Sequence, residues 1–212
     1  MTTNTPKKRF IPWLSLSAAA LSWALSSTSS AFQARSALSH AALAQAELWR
    51  LWTCHLVHFG SAHLRGDLLA FVVWAALLER ESRAALWRIL LVAGPLLSFA
   101  ILLSYPTLTQ YRGLSGLDCS LVVALIGRRG LASHRPRGLG LICLACFAAK
   151  CGYELIVGQA ILAPDLGEGV KLLPLAHVLG AVFGLLVNLT PRRWTVFDGR
   201  SAWLRLRSHF SA

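Results

Sequence analysis

The chain has 212 residues, of which 55% are hydrophobic and only 14% charged, and its mean hydropathy is +0.55. Soluble domains carry about 25% charged residues, so this composition argues against a soluble globule and predicts an integral membrane protein. The net charge of +12 does not point to a nucleic-acid partner, because the basic residues cluster between apolar runs instead of lining one face, as at a membrane surface.

Residues 1–9 end in Lys7-Lys8-Arg9 and lead into an apolar run that starts at Phe10. A secretory signal peptide has the same order of basic, apolar and small residues, and Ser30-Ala31-Phe32-Gln33-Ala34 resembles a cleavage site. A retained first span, about 10–28, is the preferred reading, because later spans need a partner. Ser15, Ser17, Ser22 and the alanines are expected to let it pack closely. Residues 32–57 include Glu47-Leu48-Trp49-Arg50-Leu51-Trp52 and read as a segment embedded in the membrane interface. Five further spans are expected at about 61–78, 86–105, 113–127, 138–160 and 172–189, each near the ~20 residues a bilayer requires. Gly94-Pro95 should kink the third span, and Pro191 should stop the sixth. The basic tail from 191 to 212 carries Trp203, Leu204, Leu206 and Phe210. It reads either as a segment on the inner leaflet or as a solvated end.

Charge placement supports this division. Fifteen Lys and Arg fall on one side of the predicted membrane and four on the other, with Arg65 and Lys150 inside spans. The basic side is the cytoplasmic one, so residues 1–9 and the tail are expected in the cytoplasm. Ser115 and His177 then both open their spans from the outer side, at similar depth.

Those two residues are the candidate chemistry. Ser115 lies in Tyr111-Arg112-Gly113-Leu114-Ser115-Gly116, where a polar loop turns into an apolar run. A serine hydroxyl needs a base to become a nucleophile, and His177 is the candidate. Gly113 and Gly116 on one side, and Ala176, Gly180 and Gly184 on the other, are small enough for close helix approach. A packing serine and a satisfied histidine would be the alternative, but intramembrane histidines are costly and usually functional. No convincing third acid is apparent, so a Ser-His dyad is expected. Asp118 either tunes that dyad or, the preferred reading, pairs with Lys150; a Lys150–Glu154 pair at i,i+4 is the alternative. His63 and Asp67 share a helix face at i,i+4. His55, His58 and His63 lack carboxylate or cysteine partners at ligand spacing, and Cys143-x-x-Cys146 lacks a second pair, so no metal is expected. The five cysteines, Cys54 and Cys119 among them, read as buried free thiols and not as a disulfide framework. No cofactor motif is present.

Four motifs in order resemble the rhomboid intramembrane serine proteases: Glu47-x-Trp49-Arg50, His58-x4-His63-x3-Asp67, Gly113-Leu114-Ser115-Gly116, and Ala176-His177 followed by Gly180 and Gly184. The forms around Cys54-His55-Leu56-Val57-His58 and Ser115 look most like the rhombosortase branch, whose members process proteins with C-terminal Gly-Gly-type anchors. The resemblance implies an all-α membrane protein, a rhomboid-like bundle of six transmembrane helices over 10–190. It implies Ser115 and His177 as catalytic residues, with His63, Asp67, Gly113 and His58 supporting them around the oxyanion. It further implies a transmembrane protein substrate entering beside the fifth span, and a bacterial inner membrane. A catalytically inactive, helix-binding relative is the alternative. The sequence departs from the family pattern twice. Asp67 stands where the family has Asn, and an ionised carboxylate would repel an oxyanion, so Asp67 is expected to orient His63. Cys119 stands where an aromatic residue often stacks on the histidine.

Overall fold

The computed structural model describes residues 10–130, 137–158 and 173–189. Residues 1–9 and the basic tail from 191 to 212 lie outside them. The described chain is helical, and no strand occurs in it. Helix α1 (Trp13–Ser26) is followed by three short helices, α2 (Ser30–Ser36), α3 (His40–Ala44) and α4 (Arg50–Thr53), and a 3-10 turn at Cys54–Leu56. Then come α5 (Ser61–Glu81), α6 (Arg83–Arg88), a π-helical turn (Ile89–Ala93), α7 (Gly94–Ser104), α8 (Ser115–Gly130), α9 (Arg137–Val157) and α10 (Pro174–Leu189). Helical segments overlap the described part of each expected span, the third as the run of α6, the π-helical turn and α7. Among the described residues, however, only Ser61–Glu81 and the continuous Arg83–Ser104 are both long and apolar enough to cross a membrane. Helices α1 and α10 are apolar but shorter.

The bundle exposes large apolar side chains and buries polar ones beside its apolar core. Leu69, Leu103, Ile156 and Leu189 are 69–87% exposed, whereas His55, His58, His63, Asp67, Asp118, Glu154 and His177 are all buried. In water this would cost free energy on both counts. In lipid the outward leucines are solvated and the polar groups must find partners inside.

Local chemistry sets the element ends. Ser29, Ser39 and Ser82 cap α2, α3 and α6 by accepting the N–H groups of Phe32, Ala42 and Ala85. Pro95 has no N–H, and its ring would clash with the carbonyl of Leu91 one turn earlier. The chain absorbs this with the π-helical turn directly before Gly94. The Leu91 carbonyl is taken by the indole N–H of Trp52 at 3.3 Å. The irregularity expected at Gly94-Pro95 is therefore a π turn sealed by a side chain from the interfacial segment.

That segment folds around Arg50, which donates to the carbonyls of Ala34 (3.0 Å) and Ala37 (2.9 Å) and pairs with Glu47. Leu48, Trp49 and Trp52 stay exposed. A single antiparallel bridge between Leu38 and Tyr111 ties the segment to the stretch preceding Ser115.

Helix α1 is locked to the rest by polar contacts. The Glu79 carboxylate of α5 accepts the Leu14 N–H (3.3 Å), the Ser15 N–H (2.9 Å) and the Ser15 hydroxyl (2.8 Å), all in the first turn of α1. A negative charge there also offsets the positive end of the helix dipole. Ser22 and Ser26 donate to the Leu56 carbonyl, each at 3.1 Å. Of the three serines expected at the packing face, Ser15 and Ser22 are buried and Ser17 is exposed. Ser17 lies two residues beyond Ser15, on the far side of a 100°-per-residue helix.

Candidate active site

Ser115 is the first residue of α8 and is half-buried. Gly113 sets up its approach. Its φ is +121°, a region side chains rarely adopt, and a Cβ there would lie 2.9 Å from His63 Cε1. The Gly113 N–H donates to the Cys54 carbonyl at 3.0 Å. The next two amides, Leu114 N–H (2.9 Å) and Ser115 N–H (3.1 Å), both donate to Asp67 Oδ2.

His177 lies in the first turn of α10, which opens on Pro174, a residue suited to that position. Helices α8 and α10 meet backbone to backbone. A Cβ on Gly180 would overlap the Gly116 carbonyl oxygen, one on Gly184 would overlap the Ser120 carbonyl oxygen, and one on Gly116 would lie 3.3 Å from the Ala176 carbonyl oxygen. Ser120 Oγ fastens the contact by donating to the Gly180 carbonyl at 2.7 Å. The contact thus brings together Gly116 and Ala176, the residues next to Ser115 and His177 in the chain. Cys119 packs at the same seam, its Cβ 3.2 Å from the place of a Gly180 Cβ. A bulky aromatic ring would crowd that approach.

The ring of His177 is held from α9. Its Nδ1 lies 2.7 Å from Glu154 Oε2. A carboxylate only accepts, so Nδ1 carries a proton, and in the neutral ring the lone pair is then on Nε2. Lys150 Nζ lies 2.7 Å from the same Glu154 oxygen and 3.3 Å from His177 Nδ1. The Lys150–Glu154 pair thus forms, and the preferred Asp118–Lys150 pair does not. Asp118 makes no ion pair among the described residues, and its Oδ1 is buried without a hydrogen bond. Glu154 is the residue the sequence reading missed as a partner of the histidine. The available signal was a carboxylate at the outer end of an apolar helix, at the depth of His177.

Asp67 contacts His63, the residue it was expected to orient, but holds other groups as well. Among the described residues it makes no ion pair with Arg65, which lies two residues before it and is exposed. One oxygen, Oδ2, instead gathers His58 Nε2 (3.2 Å), His63 Nε2 (3.3 Å) and the two amides of the serine loop. The groups expected around an oxyanion therefore converge on Asp67. Burial pushes the His58 imidazole down, against the pull of the neighbouring carboxylate. Neutral His58 donates from Nε2 to Asp67, and its Nδ1 lies 3.0 Å from Ser26 Oγ, so that the single Ser26 proton is shared between this nitrogen and the Leu56 carbonyl. Phe59 stacks on His63, and Arg112 lies over Phe59.

His55 belongs to the same support. Its Nε2 lies 2.9 Å from Ser98 Oγ and 3.1 Å from the Gly94 carbonyl, and its Nδ1 lies 3.4 Å from the Gly113 carbonyl. Burial lowers its pKa to about 4, so it is neutral at pH 7. His58 and His63 share Asp67 while His55 meets Ser98 and two backbone carbonyls, and no metal-binding group of His, Cys, Asp or Glu occurs among the described residues.

In comparison with known proteins, a family model described as the Rhomboid domain matches residues 45–194. No curated protein matches the chain. The matched region contains Asp67, Ser115, Glu154 and His177. Rhomboid proteins are integral membrane proteins, generally serine proteases acting on transmembrane substrates within the bilayer, and the family includes inactive homologues. With well over half of its length matched, the chain belongs to the rhomboid family.

Proposed function

We propose that the protein is an intramembrane serine endopeptidase that cleaves a single-span membrane protein near the outer face of the membrane. Ser115 attacks the peptide carbonyl, and His177 Nε2 takes its proton and later delivers it to the leaving amine. The observation that carries this reading is the His177 Nδ1–Glu154 contact at 2.7 Å. It turns Nδ1 into the donor, which assigns the base role to Nε2, on a helix that touches the helix of the serine. Polar groups buried in a lipid-facing bundle suit a wet cavity in which water can complete hydrolysis.

The finer assignments are part of the proposal. The charge bias supports a cytoplasmic side for both termini, and the family resemblance supports a bacterial inner membrane. The substrate helix enters beside α9 and must unwind locally, which small residues such as glycine favour. Anchors of the C-terminal Gly-Gly type, as in the rhombosortase branch, meet that need. His58, His63, Asp67 and Gly113 position the serine loop.

One observation favours a second reading, an inactive helix-binding protein. The Ser115 amide, the natural oxyanion donor, is already taken by Asp67. Fluorophosphonate labelling of purified protein in liposomes separates the two. Labelling of wild type that vanishes in Ser115→Ala and falls steeply in His177→Ala supports the protease. Absence of labelling in folded wild type supports the inactive homologue.

A further inference from the structure

The geometry points to Glu154 as a third member of the catalytic group, a positioning residue that makes Ser115–His177–Glu154 a triad spread over α8, α10 and α9. This rests on the protease reading above and deepens it. Three features single out Glu154. Its carboxylate is buried and meets the ring nitrogen at 2.7 Å, within the range of charge-assisted hydrogen bonds. It meets Nδ1, the nitrogen that must hold a proton if Nε2 is to act as base. Lys150, one turn earlier on the same helix, fastens the same oxygen at 2.7 Å, which limits the carboxylate's freedom to rotate away.

The proton balance is complete without any further group. The Ser115 O–H bond breaks as Oγ bonds to the substrate carbon, and the proton passes to His177 Nε2. The ring then carries two protons and a positive charge. Glu154 stays an unprotonated carboxylate and stabilises that charge through the retained Nδ1–H bond. When the C–N bond breaks, the Nε2 proton leaves with the amine. Water repeats the cycle to release the acyl group. An acid that orients the histidine but is never protonated has this role in triads on unrelated folds. Here the acid comes from a separate helix, so the triad is complete only when α9 lies against α10.

The test combines labelling kinetics with a spectroscopic signature that does not depend on activity. Wild type, Glu154→Gln, Glu154→Asp, His177→Ala and the double variant Glu154→Gln/His177→Ala are reacted with a fluorophosphonate in liposomes. The expected result is a fall of about 100-fold or more in the labelling rate of Glu154→Gln, with partial recovery in Glu154→Asp. In the His177→Ala background, Glu154→Gln should cost nothing further, because it acts through the ring. An equal loss in that background would assign Glu154 a merely structural role and overturn the proposal, as would a wild-type rate in Glu154→Gln. In parallel, selectively 15N-labelled histidine in the Ser115→Ala protein should give a strongly downfield Nδ1–H proton that disappears in Ser115→Ala/Glu154→Gln. If the resonance is present but wild type never labels, the protease reading fails while the contact stands. If wild type labels and the resonance is absent, the triad alone fails.

Discussion

Removing the Asp67 carboxylate should damage the protein more than any other single change around the serine loop. In Asp67→Ala, the Leu114 and Ser115 amides lose their acceptor, and His58 and His63 lose theirs. A buried donor left unsatisfied costs about 1–3 kcal/mol, so the two amides alone imply roughly 2–6 kcal/mol, provided no water replaces the carboxylate. For a chain of this size, about 1 kcal/mol moves the unfolding midpoint by roughly 2–4 °C. The midpoint should therefore fall by on the order of 10 °C, measured by circular dichroism in detergent micelles. Asp67→Asn retains an acceptor oxygen and loses only the charge-assisted part, about half of each bond, so its fall should be clearly smaller. Fluorophosphonate labelling should be lost in the alanine variant, whose serine loop is no longer held, and retained at a reduced rate in the asparagine variant. Equal midpoints for wild type and Asp67→Ala would refute the reasoning, because the four convergent donors would then not depend on Asp67. Faster labelling of Asp67→Asn would mean that the carboxylate obstructs the oxyanion donor more than it organises the loop.

Gly180→Ala should force α10 away from α8, since its Cβ meets a backbone oxygen that cannot rotate aside; overpacking of about 1–3 kcal/mol and a loss of labelling near 100-fold are expected. Gly152→Ala, where nothing lies within 4 Å of the new methyl group, is the control and should behave as wild type. A labelling rate for Gly180→Ala equal to the control would remove the close seam from the account. The depressed His55 value predicts acid sensitivity. The unfolded chain takes up a proton near pH 6.5 and the folded chain only near pH 4, so this contribution is complete above pH 6.5 and is lost as pH falls toward 4, by about 3 kcal/mol in all. Unfolding midpoints of wild type and His55→Gln should converge over that interval, and parallel pH curves would contradict the assignment.

Most of the architecture could be read from the sequence because lipid imposes a one-dimensional rule. Apolar runs of sufficient length become helices wherever they fall, and α5 and the Arg83–Ser104 helix are such runs. Ser115 and His177 also stood out locally, as costly polar residues among glycines at the outer ends of two runs. What the sequence could not settle was which buried polar groups face each other, since that depends on the rotation and depth of each helix in its packed place. Lys150 had two acidic neighbours available, and only the packing of α9 against α10 chose Glu154 and brought it to His177. Asp67 was legible as a departure from the family pattern, but its true partners are amides 47 and 48 residues away. Trp52 meets the carbonyl freed by Pro95 for the same reason. Length and hydropathy determined that this chain would form helices in a membrane. The close approach of α8 and α10 through their glycines, and the capture of Asp67, Glu79 and Glu154 by partners from other elements, were decided only by the tertiary structure, because in lipid those charges have no solvent to turn to.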